Sequence, residues 1–274
     1  MRLFVSGLRK LVRRPATWVT FGLLVGLLAL IYLAVGATAK QAIVANPTSG
    51  RQALLLVTFP GAYSLLLSFI LGLGGLFAMI YGAAIAGSEW TWGTLKAAVA
   101  RGESRSRYQV LGFASIALMV LVGLVIAFAI GIVVTIVAAG LAGVGTTGID
   151  DSATIGTFPE LLARGWLALA EAAALGFAIA TLARSQLAGI GVGIAVYFGE
   201  QFTTIFLPDV VKYFPFNAAN AVVATSRTFG GGGGGGGATV ARLDPNVALM
   251  VVAAWLIGAL VVAALYTERA EISG

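Results

Sequence analysis

The chain is predicted to be all-α, a polytopic membrane protein of about six transmembrane helices with an N-terminal interfacial helix and a short cytoplasmic helix between spans two and three. Three observations lead there. Of 274 residues, 59% are hydrophobic and only 10% are charged, against about 25% charged in a usual soluble domain. The mean hydropathy is +0.98, more apolar surface than a water-soluble core of this length can hide. The 17 basic residues cluster at the ends of apolar stretches, as expected beside anionic lipid headgroups. The formal charge of +6 is therefore read as membrane topology, and no nucleic-acid partner is expected. Cysteine and histidine are absent, which removes disulfides, thiol nucleophiles and the usual zinc, haem and iron–sulfur ligands.

Residues 1–15 form the first unit. Leu3, Phe4, Leu8, Leu11 and Val12 share a helical face, with Arg9, Lys10, Arg13 and Arg14 largely elsewhere, and Pro15 ends the helix. This fits an interfacial amphipathic helix on the cytoplasmic leaflet, or equally a plain basic anchor. A basic stretch followed by an apolar one also resembles a signal peptide. The apolar run from Ala16 to Ala37 is long enough to span, however, and is read as a retained first helix.

The second unit, 16–274, holds spans at about 16–37, 60–87, 110–140, 161–183, 187–207 and 246–266. The second and third exceed a bilayer's needs, so tilt or protrusion is expected. Eleven of the 17 basic residues fall on one side: Arg2, Arg9, Lys10, Arg13, Arg14, Lys96, Arg101, Arg105, Arg107, Arg184 and Arg269. Lys40, Arg51, Lys212, Arg227 and Arg242 fall on the other, and Arg164 sits at the edge of span four. By the positive-inside rule both termini are cytoplasmic in a cell membrane. Only Arg184 and Ser185 separate spans four and five. The long 209–245 segment alternates apolar residues with Tyr213, Pro215 and Asn217, which suits a fold back into the membrane surface. It then runs through Gly230–Gly237, read as a flexible tether.

The most informative stretch runs from Gly87 to Arg107. Ser88 is a candidate cap for a short helix beginning at Glu89, with Leu95, Ala98 and Val99 as its apolar stripe. Gly102 stops that helix and Ser104 opens the next. Such a helix between two spans is either a docking element or an ordinary connector. The pattern Glu89, Gly93-Thr94-Leu95 and Ser104-Arg105, between spans two and three of six, resembles the membrane subunits of ABC-2 type transporters. In topology the resemblance covers the whole chain; in local sequence it covers about 25 residues. It implies that residues 89–105 form a coupling helix seated on a cytosolic ATPase. It also implies a dimer of permeases, meeting through spans one and five, with two ATPase copies. The family often carries a lysine near the start of span three, where this chain has Gly112-Phe113. Trp90 and Trp92 are read as interface anchors or ATPase contacts.

Glu171, mid-span four, and Glu200, in span five, are intramembrane charges costing about 2.5–3.5 kcal/mol each on insertion scales. Each is expected to face a protein interior or cavity, or to be protonated. Arg164 shares a face with Glu171, and Gln201 adds polarity beside Glu200, so these four are candidates for a translocation path, a dimer contact or buried helix packing. Gly22 and Gly26, and Gly189, Gly191 and Gly193, permit close helix approach.

The chain has no Gly-x-x-x-x-Gly-Lys-Ser/Thr loop and no nucleophile elbow, and intramembrane proteolysis of the histidine-dependent kinds lacks its histidine. It is thus not expected to be an enzyme. On the ABC-2 resemblance, no cofactor binds directly, and ATP and magnesium bind the partner ATPase. The function expected is the permease subunit of an ATP-driven exporter. A stand-alone proton-coupled transporter using Glu171 and Glu200, and a non-transport scaffold, are the alternatives.

Overall fold

The computed structural model describes residues 2–223 and 243–270. The tether Gly230–Gly237 and two of the counted basic residues, Arg227 and Arg242, lie outside the described residues. Among those described the chain is helical without strands.

Helix α1 (Arg2–Arg13) is cut from α2 (Pro15–Ala45) at Arg14, which is extended, and proline takes the first position of α2 where its missing N–H costs nothing. Asn46 then caps α3 (Pro47–Leu55) by accepting from the Thr48 and Ser49 backbone N–H groups. Next come α4 (Gly61–Thr91), α5 (Thr94–Ala100) and α6 (Arg105–Ala142). The short α7 (Ser152–Gly156) leads into α8 (Phe158–Ala183), and α9 (Gln186–Phe206) follows after two residues. Two more short helices, α10 (Pro208–Val211) and α11 (Pro215–Ala221), precede α12 (Pro245–Arg269).

Five described helices, α2, α4, α6, α8 and α12, are long and apolar enough to cross a membrane, and they mark the chain as a polytopic membrane protein. The 38 residues of α6 amount to about 57 Å of helix, well beyond a hydrocarbon core of about 30 Å. The predicted sixth span exists as the 21-residue α9 but is not among the five. Glu200, Gln201, Thr203 and Thr204 interrupt its apolar run.

Periodicity could not separate inner from outer helices, because every span is apolar all round. Packing separates them. In their most apolar windows α4 is 61% and α8 67% buried, against 22% to 28% for α2, α6 and α12. These two central helices meet through glycines: a Cβ on Gly82 would stand 2.1 Å from the Ala173 carbonyl oxygen, and one on Gly176 would stand 2.0 Å from that of Met79. Helix α2 packs on α6, with Gly36 against Ala138, and α12 packs on α8 and α6.

Helix α9 runs antiparallel beside α4 for most of its length. Gln186 lies against Gly87, Gly193 against Met79, and the Tyr197 hydroxyl donates to the Gly72 carbonyl at 3.2 Å. Its glycines therefore divide: Gly189 and Gly193 are packed on Ala180 and Met79, whereas Gly191 is open. Gly22 and Gly26 on α2 are open too.

The segment after α9 turns inward. Val211, Phe216, Ala218, Ala219, Ala221 and Val222 are buried, and α11 packs on α12, α8 and α4. Where the alternation of residue types suggests a segment lying at the surface, the described part is a plug in the bundle.

Candidate functional site

At one end of the bundle α1, the α4–α6 connection, the α8–α9 corner and the end of α12 come together. Their centre is Glu89. Its carboxylate takes Lys10 Nζ at 2.5 Å, Arg14 Nη2 at 3.2 Å and the Tyr108 hydroxyl at 2.6 Å, and Thr94 donates to it as well. Four segments thus converge on one side chain that is only 13% exposed. Arg14 also donates to Ser88 Oγ at 2.6 Å and lies 5.0 Å over the Trp92 ring.

This geometry corrects two sequence expectations. Ser88 does not cap a helix starting at Glu89. Both residues belong to the last turns of α4, Ser88 donates to the Ile85 carbonyl, and the short helix starts five residues later at Thr94. The break between them is Gly93, at φ 64°, a left-handed conformation that favours glycine. Arg14, expected on the polar side of the N-terminal helix, is buried. The apolar stripe of α5 faces inward. Leu95 and Ala98 are buried against the chain's own bundle. The outward surface is instead Trp92, Lys96, Ala97, Ala100 and Arg101. Gly102, at φ 88°, follows α5 as expected, and Ser104 precedes α6.

Arg105 is engaged at the other side of this end. Its Nη1 donates to the carbonyls of Glu268 at 3.0 Å and Ala270 at 2.9 Å, satisfying the C-terminal end of α12. Gln109 adds a bond to the Thr267 hydroxyl. Arg184, the left-handed residue between α8 and α9, donates to the Tyr266 hydroxyl and lies 5.2 Å over the Trp90 ring. Trp90 is therefore an internal stacking partner, and Trp92, 65% exposed, is the accessible one of the pair. Tyr108, Gln109 and Tyr266 did not stand out in the sequence. Tyr108 and Gln109 lie in the first turns of α6 just past Ser104-Arg105, and that proximity was their only signal.

The four intramembrane candidates do not form one track. Arg164 pairs with Glu160 at 2.8 Å and donates to Asn246, and makes no ion pair with Glu171. Glu171 is fully buried in α8, and neither carboxylate oxygen has a hydrogen-bond partner. Glu200 is also buried but well satisfied. It accepts from the Phe216 and Asn217 backbone N–H groups at 3.3 and 3.1 Å and from Asn217 Nδ2 at 3.0 Å, so it caps the N-terminus of α11. Gln201 is half-buried beside Glu200. Both glutamates thus face the protein interior, as a charge in lipid must. Among the described residues no group of three or more histidine, cysteine or acidic side chains is placed to hold a metal.

Compared with protein-family models and with curated proteins, the chain matches none.

Proposed function

We propose that the chain is the membrane-spanning permease subunit of an ATP-driven exporter of the ABC-2 type, working as a pair with two copies of a separate cytosolic ATPase. The observation that supports this most is the build of the α4–α6 connection. A seven-residue helix is pinned to the bundle through Leu95, Ala98 and the Glu89 cluster, and leaves a compact outward surface of Trp92, Lys96, Ala97, Ala100 and Arg101. A rigid knuckle of this kind passes a push from a partner into α4 and α6 instead of absorbing it. Arg105 extends the same linkage to α12.

In this reading α9 is the sixth crossing, supported by its passage along α4 from Gln186 to Tyr197. With six crossings both termini share the cytoplasmic side, which suits the meeting of α1 and the end of α12 at the Glu89 end. The open glycines Gly22, Gly26 and Gly191 leave faces of α2 and α9 for a second permease. ATP and magnesium bind on the ATPase.

The test is a pulldown of the tagged chain from its native membrane in mild detergent. The expected result is a near-stoichiometric P-loop ATPase, lost on Trp92→Ala combined with Arg101→Glu, with the chain still folded and in the membrane. A chain that purifies without an ATPase overturns the proposal. The unpartnered Glu171 carboxyl then favours a proton-coupled transporter, for which flux by the purified chain alone, abolished by Glu171→Gln, is the measurement.

A further inference from the structure

The outward surface of α5 has a definite chemistry. With Leu95 and Ala98 turned into the bundle, Ala97 and Ala100 fall between Lys96 and Arg101 around the helix. Two small side chains between two cations let a partner's backbone approach closely. From Trp90 to Val110 the basic residues are Lys96, Arg101, Arg105 and Arg107, and the one acid is Glu103, half-buried. Arg105 is engaged with the α12 carbonyls, while Lys96, Arg101 and Arg107 are exposed. Glu89, the nearby carboxylate that could balance them, is turned inward to Lys10 and Arg14. The surface is therefore cationic.

Trp92 adds an apolar element that is already oriented. Arg14, itself bonded to Ser88 and Glu89, lies over the Trp92 ring. An exposed indole held in this way loses little freedom when a second surface closes on it. Lipid headgroups are poorly placed to be that surface. The last apolar side chain of α4 before Ser88 is Ala86, and Trp92 lies six residues beyond it, about 9 Å of helix. The headgroup layer is about 5–8 Å deep on each side of the hydrocarbon. Trp92 and α5 thus stand at its outer edge, facing water.

We infer that the partner ATPase receives α5 in an acidic groove, with carboxylates opposite Lys96 and Arg101 and an apolar slot that takes Trp92. The inference rests on the exporter reading and adds to it the chemistry of the partner's surface. A carboxylate meets the Arg101 guanidinium in a fork geometry that fixes direction, and a buried tryptophan is among the residues that contribute most to affinity. Opposite charges across the contact also speed the encounter and make it salt-dependent.

The experiment treats the complex, purified through the tagged full chain in mild detergent, with a water-soluble carbodiimide. This reagent joins an amine to a carboxylate in contact with it, taking up the water lost as its urea. Lys96 joined to an aspartate or glutamate of the ATPase is expected by mass spectrometry, and is absent in Lys96→Ala. Arg101→Lys, which places an amine at the second position, should give a further cross-link of the same kind. Raising the salt from about 0.1 M to about 1 M should lower the ATPase retained by about tenfold. Arg101→Glu should lower it at least as much at the lower salt, and Arg101→Gln less. An ATPase that stays bound without these cross-links, indifferent to salt and to Arg101→Glu, overturns the acidic groove, leaves the exporter reading standing and assigns the cations to the leaflet headgroups. A chain that purifies without an ATPase overturns both.

Discussion

Glu89 accepts hydrogen bonds from Lys10, Arg14, Thr94 and Tyr108 at the end of the bundle, while Glu171, in the bundle's most buried helix, accepts none. Both are carboxylates withdrawn from water, yet only one has been given partners. The difference follows from what each position is next to. Glu89 stands where helices end, and helix ends bring basic side chains, hydroxyls and loose backbone groups together. Glu171 stands where α8 meets α4 through glycines and alanines, and such close packing leaves no side chain long enough to reach it. Glu200 lies between these extremes: it is buried in a span but answered by a helix N-terminus that the chain folds back to meet it. If the comparison is right, the three carboxylates rank in stability by their partners and not by their depth.

Removing Glu89 has the largest expected effect. Glu89→Ala leaves Arg14, a buried cation, without its anion, together with Tyr108 and Lys10. Breaking a buried pair from one side costs about 3–5 kcal/mol. Because Lys10 is partly solvated, about 3 kcal/mol is expected here, seen as a lowered midpoint of denaturant unfolding in detergent. Glu89→Gln retains an acceptor for Tyr108 and Thr94 and should recover part of it. A loss below about 1 kcal/mol for Glu89→Ala would mean the cluster is solvated and would remove the contrast with Glu171.

Glu200→Ala comes next. It uncovers two backbone N–H groups and an amide in the interior and removes the cap of α11, with an expected loss of about 2 kcal/mol. The readout is protease accessibility of the Pro208–Ala221 segment, which should rise before global unfolding. Unchanged protection would show that apolar packing of Phe216 and Val222 holds the plug without the cap.

Arg105→Ala is smaller, about 1 kcal/mol, from the lost bonds to the α12 carbonyls. Hydrogen exchange in the last turn of α12 should quicken by about fivefold while that of α4 is unchanged. Arg105→Lys should recover only part of this, because the ammonium is more strongly hydrated than the guanidinium and is carried on a stem of different reach.

How much of this could be read beforehand follows the same division. The spans are legible because lipid requires long apolar runs, and the α8–α9 corner falls where Arg184 and Ser185 interrupt one. The position of α5 between Gly93 and Gly102 is close to legible, because glycines in the left-handed region punctuate helices. What was not legible depends on distant chain segments. Ser88 looks like a helix cap from its neighbours alone, but Arg14, 74 residues earlier, determines its use. Arg164 and Glu171 share a helical face by spacing, yet Glu160 and Asn246 reach Arg164 first. The inward face of α1 was misjudged for the same reason. Its apolar stripe includes Leu11, which is buried as expected, but Lys10 and Arg14 flank that stripe and find an anion on α4.

The smallest change in stability belongs to Glu171, and it is the sharpest test of the contrast. Replacing a buried polar group that makes no hydrogen bonds by an apolar group of similar size removes a desolvation penalty and breaks nothing. Glu171→Leu should therefore leave the unfolding midpoint unchanged or raise it by about 1 kcal/mol in stability, and Glu171→Gln should lie near wild type. A carboxyl with no partner and no structural benefit is a candidate for a role outside folding. The informative pairing is stability against flux. If Glu171→Leu is as stable as wild type and transport falls, the carboxyl acts in the working cycle. If Glu171→Leu instead destabilises by more than about 1 kcal/mol, the carboxyl is satisfied inside the bundle, for which an internal water is the available partner.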